Sequence, residues 1–565
     1  MASFSVLGRF RSRLYTLSDL CSSHHVTQLS RRSLLLSCPT YKNNDSENQN
    51  SEKDNSYKFR NYKGLNPLQK AFRILTDDVR DSYRRKRDII QQIAREAKQD
   101  TDMKAGISEK TKTIKENKND SESSTSVPVE AIWPSQCDVL VVGGGAVGSS
   151  VAYHLKEHGR DGLSVVVVEE DPSYQCTSTA LSVGGAHHQF GVPENVLLSM
   201  YGMDFLRRSH ELLAVEGLDT PDMQFNPCGY LTLASEEGYA QLRENYELQK
   251  DVGAKVSFLS SKEISDRYPW LDMSGVAAGV LGRENEGWFD PWSLLVGLQR
   301  KAVALGTQFI KGKVTGLSHE TLDDMILEGT SQSKIKRIRT AEVTLDNGEK
   351  HTIDFALLVV AAGAGTADIG RLVGIGEGAG LLGVPIPIEA RKRYVYCVHG
   401  PDGPGLNSPL VVDPNGMYLR RDGLAGLYLC GQSPPEDREP PVDNLDVDYT
   451  FFEEEVHPAI AKRVPTLKNL KLRSAWAGNY GYNTFDQNGI LGLHPLMSNM
   501  FIVGGFSGHG PAGLPQQPPG IHQAPGLGRA IMECIIYGEY RTINLERLGF
   551  ERVLARAPLL EASVV

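Results

Sequence analysis

The stretch CDVLVVGGGAVGSSVAYHLKEHG, residues 137–159, limits what this chain can fold into more than any other. CDVLVV is a short apolar run rich in β-branched residues, as expected of a buried parallel strand, and AVGSSVAYHLKEHG has helical spacing that ends at Gly159. At their junction Gly143, Gly145 and Gly148 form Gly-x-Gly-x-x-Gly, with Ala146 and Val147 in the variable places. Glycines at this spacing permit a tight turn, close approach of backbone to a pyrophosphate, and close packing of helix on strand. The helix start adds unpaired N–H groups and the positive end of its dipole. A second apolar run, SVVVVEE, sets Glu169 and Glu170 at a strand tip about 20 residues past Gly148, where a carboxylate accepts hydrogen bonds from an adenosine ribose. An acid there disfavours a 2′-phosphate. The stretch therefore reads as a βαβ dinucleotide cradle, poorly suited to NADP and open to NAD or FAD.

A second glycine-dense turn bears on that choice. NMFIVGGFSGHGP is an apolar strand running into Gly505, Phe506, Ser507, Gly508, His509 and Gly510, with the helix-like GRAIMECIIYG beyond an intervening loop. FAD is long enough to need two such cradles, each offering backbone to the ligand. With 60 Lys and Arg against 69 Asp and Glu, the chain lacks the basic footprint of a nucleic-acid binder, and small-molecule chemistry is the expectation. The longest uncharged apolar run near the middle, Phe355 to Gly365, is about half of the roughly 20 residues that cross a bilayer, which leaves at most peripheral membrane association. The eight cysteines are scattered without a Cys-x-x-Cys pair, and read as reduced thiols with no structural metal site.

At these residues the chain resembles the D-amino acid oxidase and sarcosine oxidase family of FAD enzymes, over about residues 136–548. Four further segments sit in the family's order. CTSTALSVGG is similar to its Ser/Gly-rich flavin loop; ENEGWFDPWSLLVGLQRKAVALG looks like its Glu-Gly-aromatic-x-Asp-Pro segment, with Asp290 as N-cap and Pro291 in the first helical turn. FALLVVAAGAG resembles its inner strand, and YNTFDQNGILGLHP its Thr-x-Asp segment. The resemblance implies an α/β fold: a Rossmann-like FAD-binding domain (131–221 with 286–381 and 471–548) and a second, α+β substrate domain on a large mixed sheet (222–285 with 382–470). It implies cofactor contacts from Gly143, Gly145, Ala146, Val147, Gly148, Glu169, Glu170, Ser178, Thr179, Ser182, Val314, Ala362, Gly363, Gly505, Phe506, Ser507, Gly508 and Gly510. Ser182 and Asn479 stand near where some relatives carry a His or Cys bonded to the flavin, so noncovalent FAD is expected. A narrower likeness, carried by GWFDPW, EARKRYVY, SAWAG, YNTFDQNG and GFSGHG, is to a mitochondrial branch of the family. That likeness implies a matrix-side protein, on or near the inner membrane, that interacts with assembly intermediates of respiratory complex I.

Substrates of such a family are small amines or amino acids, whose carboxylate calls for a cation, best a planar Arg fork. EARKRYVYC, a predicted strand of the covering domain, offers Arg391, Lys392 and Arg393, with Tyr394 and Tyr396 following; only alternate residues share a face. The basic triplet reads equally as a substrate clamp or as the solvated rim of an edge strand. Arg391, Arg393, Tyr394, Tyr482 and His509 are the catalytic candidates, Tyr480 is a pocket wall or a core aromatic, and His187 and His188 fit structural or exposed roles better. Where oxidase members carry an oxygen-activating Lys, GLYLCGQSP has none, which favours a dehydrogenase. Gly365 replaces the family's aromatic. Between the second glycine turn and QAPGLG stands PAGLPQQPPGIH, residues 511–522, read as an outward loop, a displaced helix start or an unusual splice form. Two functions stay open: a dehydrogenase of a small secondary or tertiary amine acid, and a catalytically inactive FAD-binding scaffold that acts only in assembly.

The chain before Trp133 reads differently. Residues 1–44 hold Arg9, Arg11, Arg13, Arg31, Arg32 and Lys42 against one acid, Asp19, with Phe4, Leu7, Phe10, Leu14 and Leu17 on one helical face, as in a mitochondrial transit peptide. Residues 45–130 are expected to be a disordered linker interrupted by one helix over 66–98, begun by Asn66 and Pro67. That helix suits docking to a partner or a solvated role.

Overall fold

A computed structural model describes residues 133–326, 334–377, 380–506 and 521–561 of the 565. The expected transit peptide, the linker with its helix, Ser507, Gly508, His509 and Gly510, and residues 511–520 lie outside them.

The sequence VLVV at the start of the cradle is apolar on every residue because both faces of its strand are covered. Strand β1 (Gln136–Val142) runs into helix α1 (Ala146–Gly159) and then β2 (Val165–Glu169), with the two strands parallel in register Val139↔Val165 to Val142↔Val168. Successive side chains of a strand point to opposite faces. Val139 and Val141 therefore join a core with Val151 and Leu155 of α1 and Leu294 and Leu298 of the helix Pro291–Ala304, whereas Leu140 and Val142 join another with Leu358, Val360 and Ile502. The sheet runs in the order Ile490–Leu493, Met500–Gly504, Lys350–Val360, β1, β2, Gln308–Lys311, and Lys334–Thr344 with Lys313–Ile326 extends it antiparallel from Lys350–Val360. The two glycine-ended strands, β1 and Met500–Gly504, both lie parallel to Lys350–Val360, one on each side of it. Two turns remote in sequence thus leave the same edge of one sheet.

Asp290 caps the helix Pro291–Ala304 as expected, accepting from the N–H groups of Trp292 and Ser293 at 3.1 and 3.3 Å. The helix after the second cradle, Ala524–Tyr537, packs on the α1 side of the sheet through Leu527 and Ile531.

A second eight-stranded sheet runs Lys471–Asn483, Ile388–His399, Leu427–Gly431, Tyr418–Asp422, Leu410–Val412, Tyr230–Ala234, Ala278–Gly282, Val256–Ser260. One face is backed by Phe451, Phe452, Ile460 and Leu467; the other, with Val395, Cys397, Tyr418 and Leu429, packs on Val183 of the Ser/Gly-rich loop. This corrects one expected boundary. Lys471–Asn483 was assigned above to the FAD-binding part, yet it pairs along its whole length with Ile388–His399, from Ile388↔Asn483 to His399↔Lys471. The last leg of the first domain therefore begins after Asn483. The six described cysteines are free thiols, and no helix among the described residues is long and apolar enough to cross a membrane.

Candidate active site

Gly143 turns the chain at φ +98°, and a Cβ there would lie 2.4 Å from the carbonyl oxygen of Ala361. Gly148 does a different job: a Cβ on it would stand 1.9 Å from the Gly143 oxygen, so its bareness lets α1 start directly over the turn. No side chain caps α1. Its first N–H, that of Ala146, reaches Thr179 Oγ1 at 3.3 Å, bringing the Ser/Gly-rich loop to the helix start.

These groups open on a cleft of about 610 Å³. Gly143, Gly145, Ala146 and Val147 line it, with Glu169 and Glu170 at the β2 end, Ser178 and Thr179 from the loop, Val314, Ala362 and Gly363 along the side, and Gly505 and Phe506 from the second cradle. Asn479, Tyr480 and Gly481 of the covering sheet close its far end. Of the expected cofactor residues that are described, all but two line this one cleft, while Ser507, Gly508 and Gly510 lie outside the described residues. Gly148 packs beneath the turn instead of lining the cleft. Ser182 is turned to its own loop, its hydroxyl accepting from the Gly184 N–H at 3.1 Å.

Glu169 receives the Gly144 N–H at 2.7 Å and the Asp171 N–H at 2.9 Å. Burial nevertheless raises its pKa above the ordinary carboxylate value, with the two N–H groups opposing that shift. Glu170, at the cleft's rim, pairs with Lys313 at 2.8 Å, both largely exposed. Sequence reasoning missed Gln299, whose amide reaches the Gly144 carbonyl and the Tyr174 hydroxyl at 3.2 and 2.7 Å and so steadies the turn from the neighbouring helix. Its helical periodicity signalled a helix, but not which residue would face the glycines.

At the far end the strand register decides which catalytic candidates meet. Arg391 lies opposite Tyr480 and Glu389 opposite Tyr482, so Arg391, Arg393, Tyr480 and Tyr482 share the face that meets the flavin loop, where Trp476 Nε1 donates to the Leu181 carbonyl at 2.9 Å. The Arg391 guanidinium lies 3.9 Å from the Tyr482 ring centre, and that of Arg393 lies 5.4 Å from Tyr480. Tyr394 does not belong with them. It sits on the opposite face against Tyr396 and Phe451, because an even-numbered neighbour of Arg393 must point the other way. Lys392 shares that face and donates to Asn444 Oδ1 at 3.1 Å.

Neither reading of the basic triplet foresaw its partner. Arg393 forms a bidentate pair with Glu439, Nη1 to Oε2 and Nη2 to Oε1 both at 2.8 Å, and Arg391 Nη1 adds a third contact at 3.2 Å. Glu439 comes from the acidic, proline-rich stretch EDREPPVD, which carries no periodicity to announce its place. The Tyr480 hydroxyl, buried at the cleft's end, has no hydrogen-bond partner among the described residues. Loss of hydration pushes it up to about 12.

His187 and His188 take structural places, as expected. His187 stacks between Phe190 and Tyr230, and His188 is buried beside Glu286. His509 lies outside the described residues.

The cleft fits FAD on its own evidence: a side-chain-free turn and an uncapped helix start for the pyrophosphate, a carboxylate for the ribose, and an orphaned hydroxyl at the ring end. The comparisons agree. Residues 138–515 match the family described as FAD dependent oxidoreductase. The chain is similar to FAD-dependent oxidoreductase domain-containing protein 1 of Xenopus laevis, 44% identical over 78% of this chain and 87% of that one. It is similar to mouse mitochondrial sarcosine dehydrogenase at 25% identity over 72% of this chain and 40% of that one. Among solved structures, L-proline dehydrogenase from P. horikoshii matches in fold with a TM-score of 0.60 and 24% identity, covering 76% of this chain and all of that one. Matched by the family over more than half of its length and 44% identical to a relative over most of both chains, this chain belongs to the FAD dependent oxidoreductase family.

Proposed function

We propose that this chain is a mitochondrial dehydrogenase that binds FAD noncovalently and oxidises the CH–NH bond of a small secondary or tertiary amine, and that it also contacts assembly intermediates of respiratory complex I. The observation that carries the catalytic part is the far end of the cleft, where the Tyr480 hydroxyl, unpartnered among the described residues, lines the cleft with the Arg393 guanidinium over its ring. FAD, when bound, supplies the acceptor for a hydride. The chain's own part is to orient and enclose. Tyr480 lines the end of the cleft with Tyr482 packed edge-on behind it, and the Tyr480 hydroxyl, held protonated near neutral pH, donates a hydrogen bond to a substrate acceptor. The similarity to sarcosine dehydrogenase supports a secondary amine as substrate. The strand Leu427–Gly431 and its exit, GLYLCGQSP, carry no Lys to assist reaction with oxygen, which supports a dehydrogenase. The Arg-rich, acid-poor residues 1–44 support a mitochondrial, matrix-side location, and the segment likeness described at the outset supports the role in assembly.

A second reading has one observation in its favour. Glu439 already occupies the arginine pair, as a scaffold that binds FAD without turnover could afford. The test is anaerobic mixing of the flavin-loaded full chain with a panel of N-methyl amines, some bearing a carboxylate and some not. Loss of the oxidised flavin's visible band with at least one of them is expected. A flavin that stays oxidised with every member rejects the dehydrogenase and leaves the scaffold.

A further inference from the structure

Two arginines on one face of a covering sheet, beside a flavin cleft, are the arrangement that would receive a substrate carboxylate. In this chain a carboxylate is already there. Glu439 makes three of the fork contacts a bound acid would make, with Arg393 only 13% and Arg391 20% exposed. Arg393 is committed further, donating from Nε to Ser433 Oγ at 3.0 Å and from Nη1 to the Lys392 carbonyl at 2.8 Å. Arg391 also pairs through Nε with Glu389 at 3.1 Å. The stretch that carries Glu439 is held on both sides of the strand. Ser433 is bound by Arg393, Asn444 and the Asp446 carbonyl are bound by Lys392, and the Val442 carbonyl accepts from Asn479 at 3.0 Å. The two positive charges are therefore balanced by Glu389 and Glu439. What is left unsatisfied at the cleft's end, among the described residues, is neutral: the Tyr480 hydroxyl and the amide oxygen of Asn479.

We propose that Glu439 is the specificity-determining residue of this site: it fills the arginine clamp from within and directs the cleft toward amines whose tail is uncharged, such as a carboxamide, and away from free amino acids. The proposal rests on the reading of the cleft's end as an amine site. The physics is a competition. An entering carboxylate must displace a bidentate, charge-assisted pair and then sit beside the expelled Glu439, whereas a carboxamide oxygen takes the Tyr480 O–H and disturbs no ion pair. Glu439 acts on the substrate through like charge and prior occupancy, and takes no part in the bond-breaking step.

The flavin-loaded full chain tests this with two matched pairs. Benzoate and benzamide, which are not oxidised, are titrated against the flavin's absorbance; N-methylglycine and N-methylglycinamide are mixed anaerobically. In the unaltered protein the neutral member of each pair is expected to bind more tightly by about tenfold or more, the scale of a displaced charge-assisted pair. Glu439→Gln is expected to tighten benzoate about tenfold while moving benzamide less than about twofold, and Arg393→Gln on top of it to remove that gain. Glu439→Asp, which keeps the charge but withdraws it by one methylene, gives a smaller shift in the same direction should the first variant fold poorly. Equal binding of benzoate and benzamide by the unaltered protein overturns the proposal, as does a Glu439→Gln variant that weakens both ligands alike, the mark of a brace. If neither methylamine reduces the flavin while the benzoate–benzamide gap stands, amine oxidation is rejected and the charge selection survives. If N-methylglycine reduces it as readily as its amide, the reverse holds.

Discussion

Glu286 is wholly buried, and its carboxyl accepts from the His188 N–H at 3.2 Å and the Gln189 side-chain amide at 2.8 Å, with the His188 ring nitrogen 3.7 Å away. Loss of hydration pushes Glu286 from 4.5 up to about 8, against the pull of those two donors, and pushes His188 down to about 4. At neutral pH both are therefore mainly uncharged, a carboxylic acid beside a neutral imidazole. Because the folded protein holds this proton more tightly than the unfolded chain, Glu286 stabilises below about pH 4.5, and its contribution is lost as pH rises toward 8. Glu286→Gln mimics the protonated acid. Unfolding free energies from urea titrations between pH 4.5 and 8 should fall less steeply with pH in the variant than in the unaltered protein, the slopes differing by at most about 1.4 kcal/mol per pH unit. Parallel curves for the two proteins contradict a buried neutral carboxyl. None of this was legible in GGAHHQF or ENEGWF, because the two stretches are remote in sequence and are brought together by the pairing of Gly185–Ala186 with Gly287–Trp288.

The β1–turn–α1 element is where sequence and structure agree most closely, and the reason is locality. Strand, turn and helix lie within one short segment, so periodicity and glycine spacing carry the whole instruction. The same is true of Asp290 and Pro291 at the start of their helix. Gly143→Ala tests the turn. It places a Cβ at φ +98° against the Ala361 carbonyl, and a left-handed backbone alone costs a non-glycine residue about 1–2 kcal/mol. Lower thermal stability and loss of bound FAD are expected together; unchanged melting temperature and flavin content contradict the close approach. Elements joined by remote pairing were harder. Lys471–Asn483 read as part of the first domain along with the segments that follow it, while its membership of the covering sheet is decided by Ile388–His399, far away along the chain. Tyr394 was misplaced by one step of the same pleat, and Glu439 sits in a stretch without periodicity, so only the folded sheet shows that it reaches the arginines.

For the molecule as a whole, the consequence of the topology is that two glycine-ended strands flank Lys350–Val360 and deliver their turns to one cleft, which the second sheet closes with Tyr480. A long dinucleotide can then be held at both ends without any charged side chain inside the first turn. The family membership makes FAD its cofactor. The most direct measurement is the flavin content of the purified full chain: the folded protein should be yellow, with about one FAD per chain freed on denaturation. Folded, colourless protein that takes up no FAD when titrated with it would contradict the shared cleft on which the account depends.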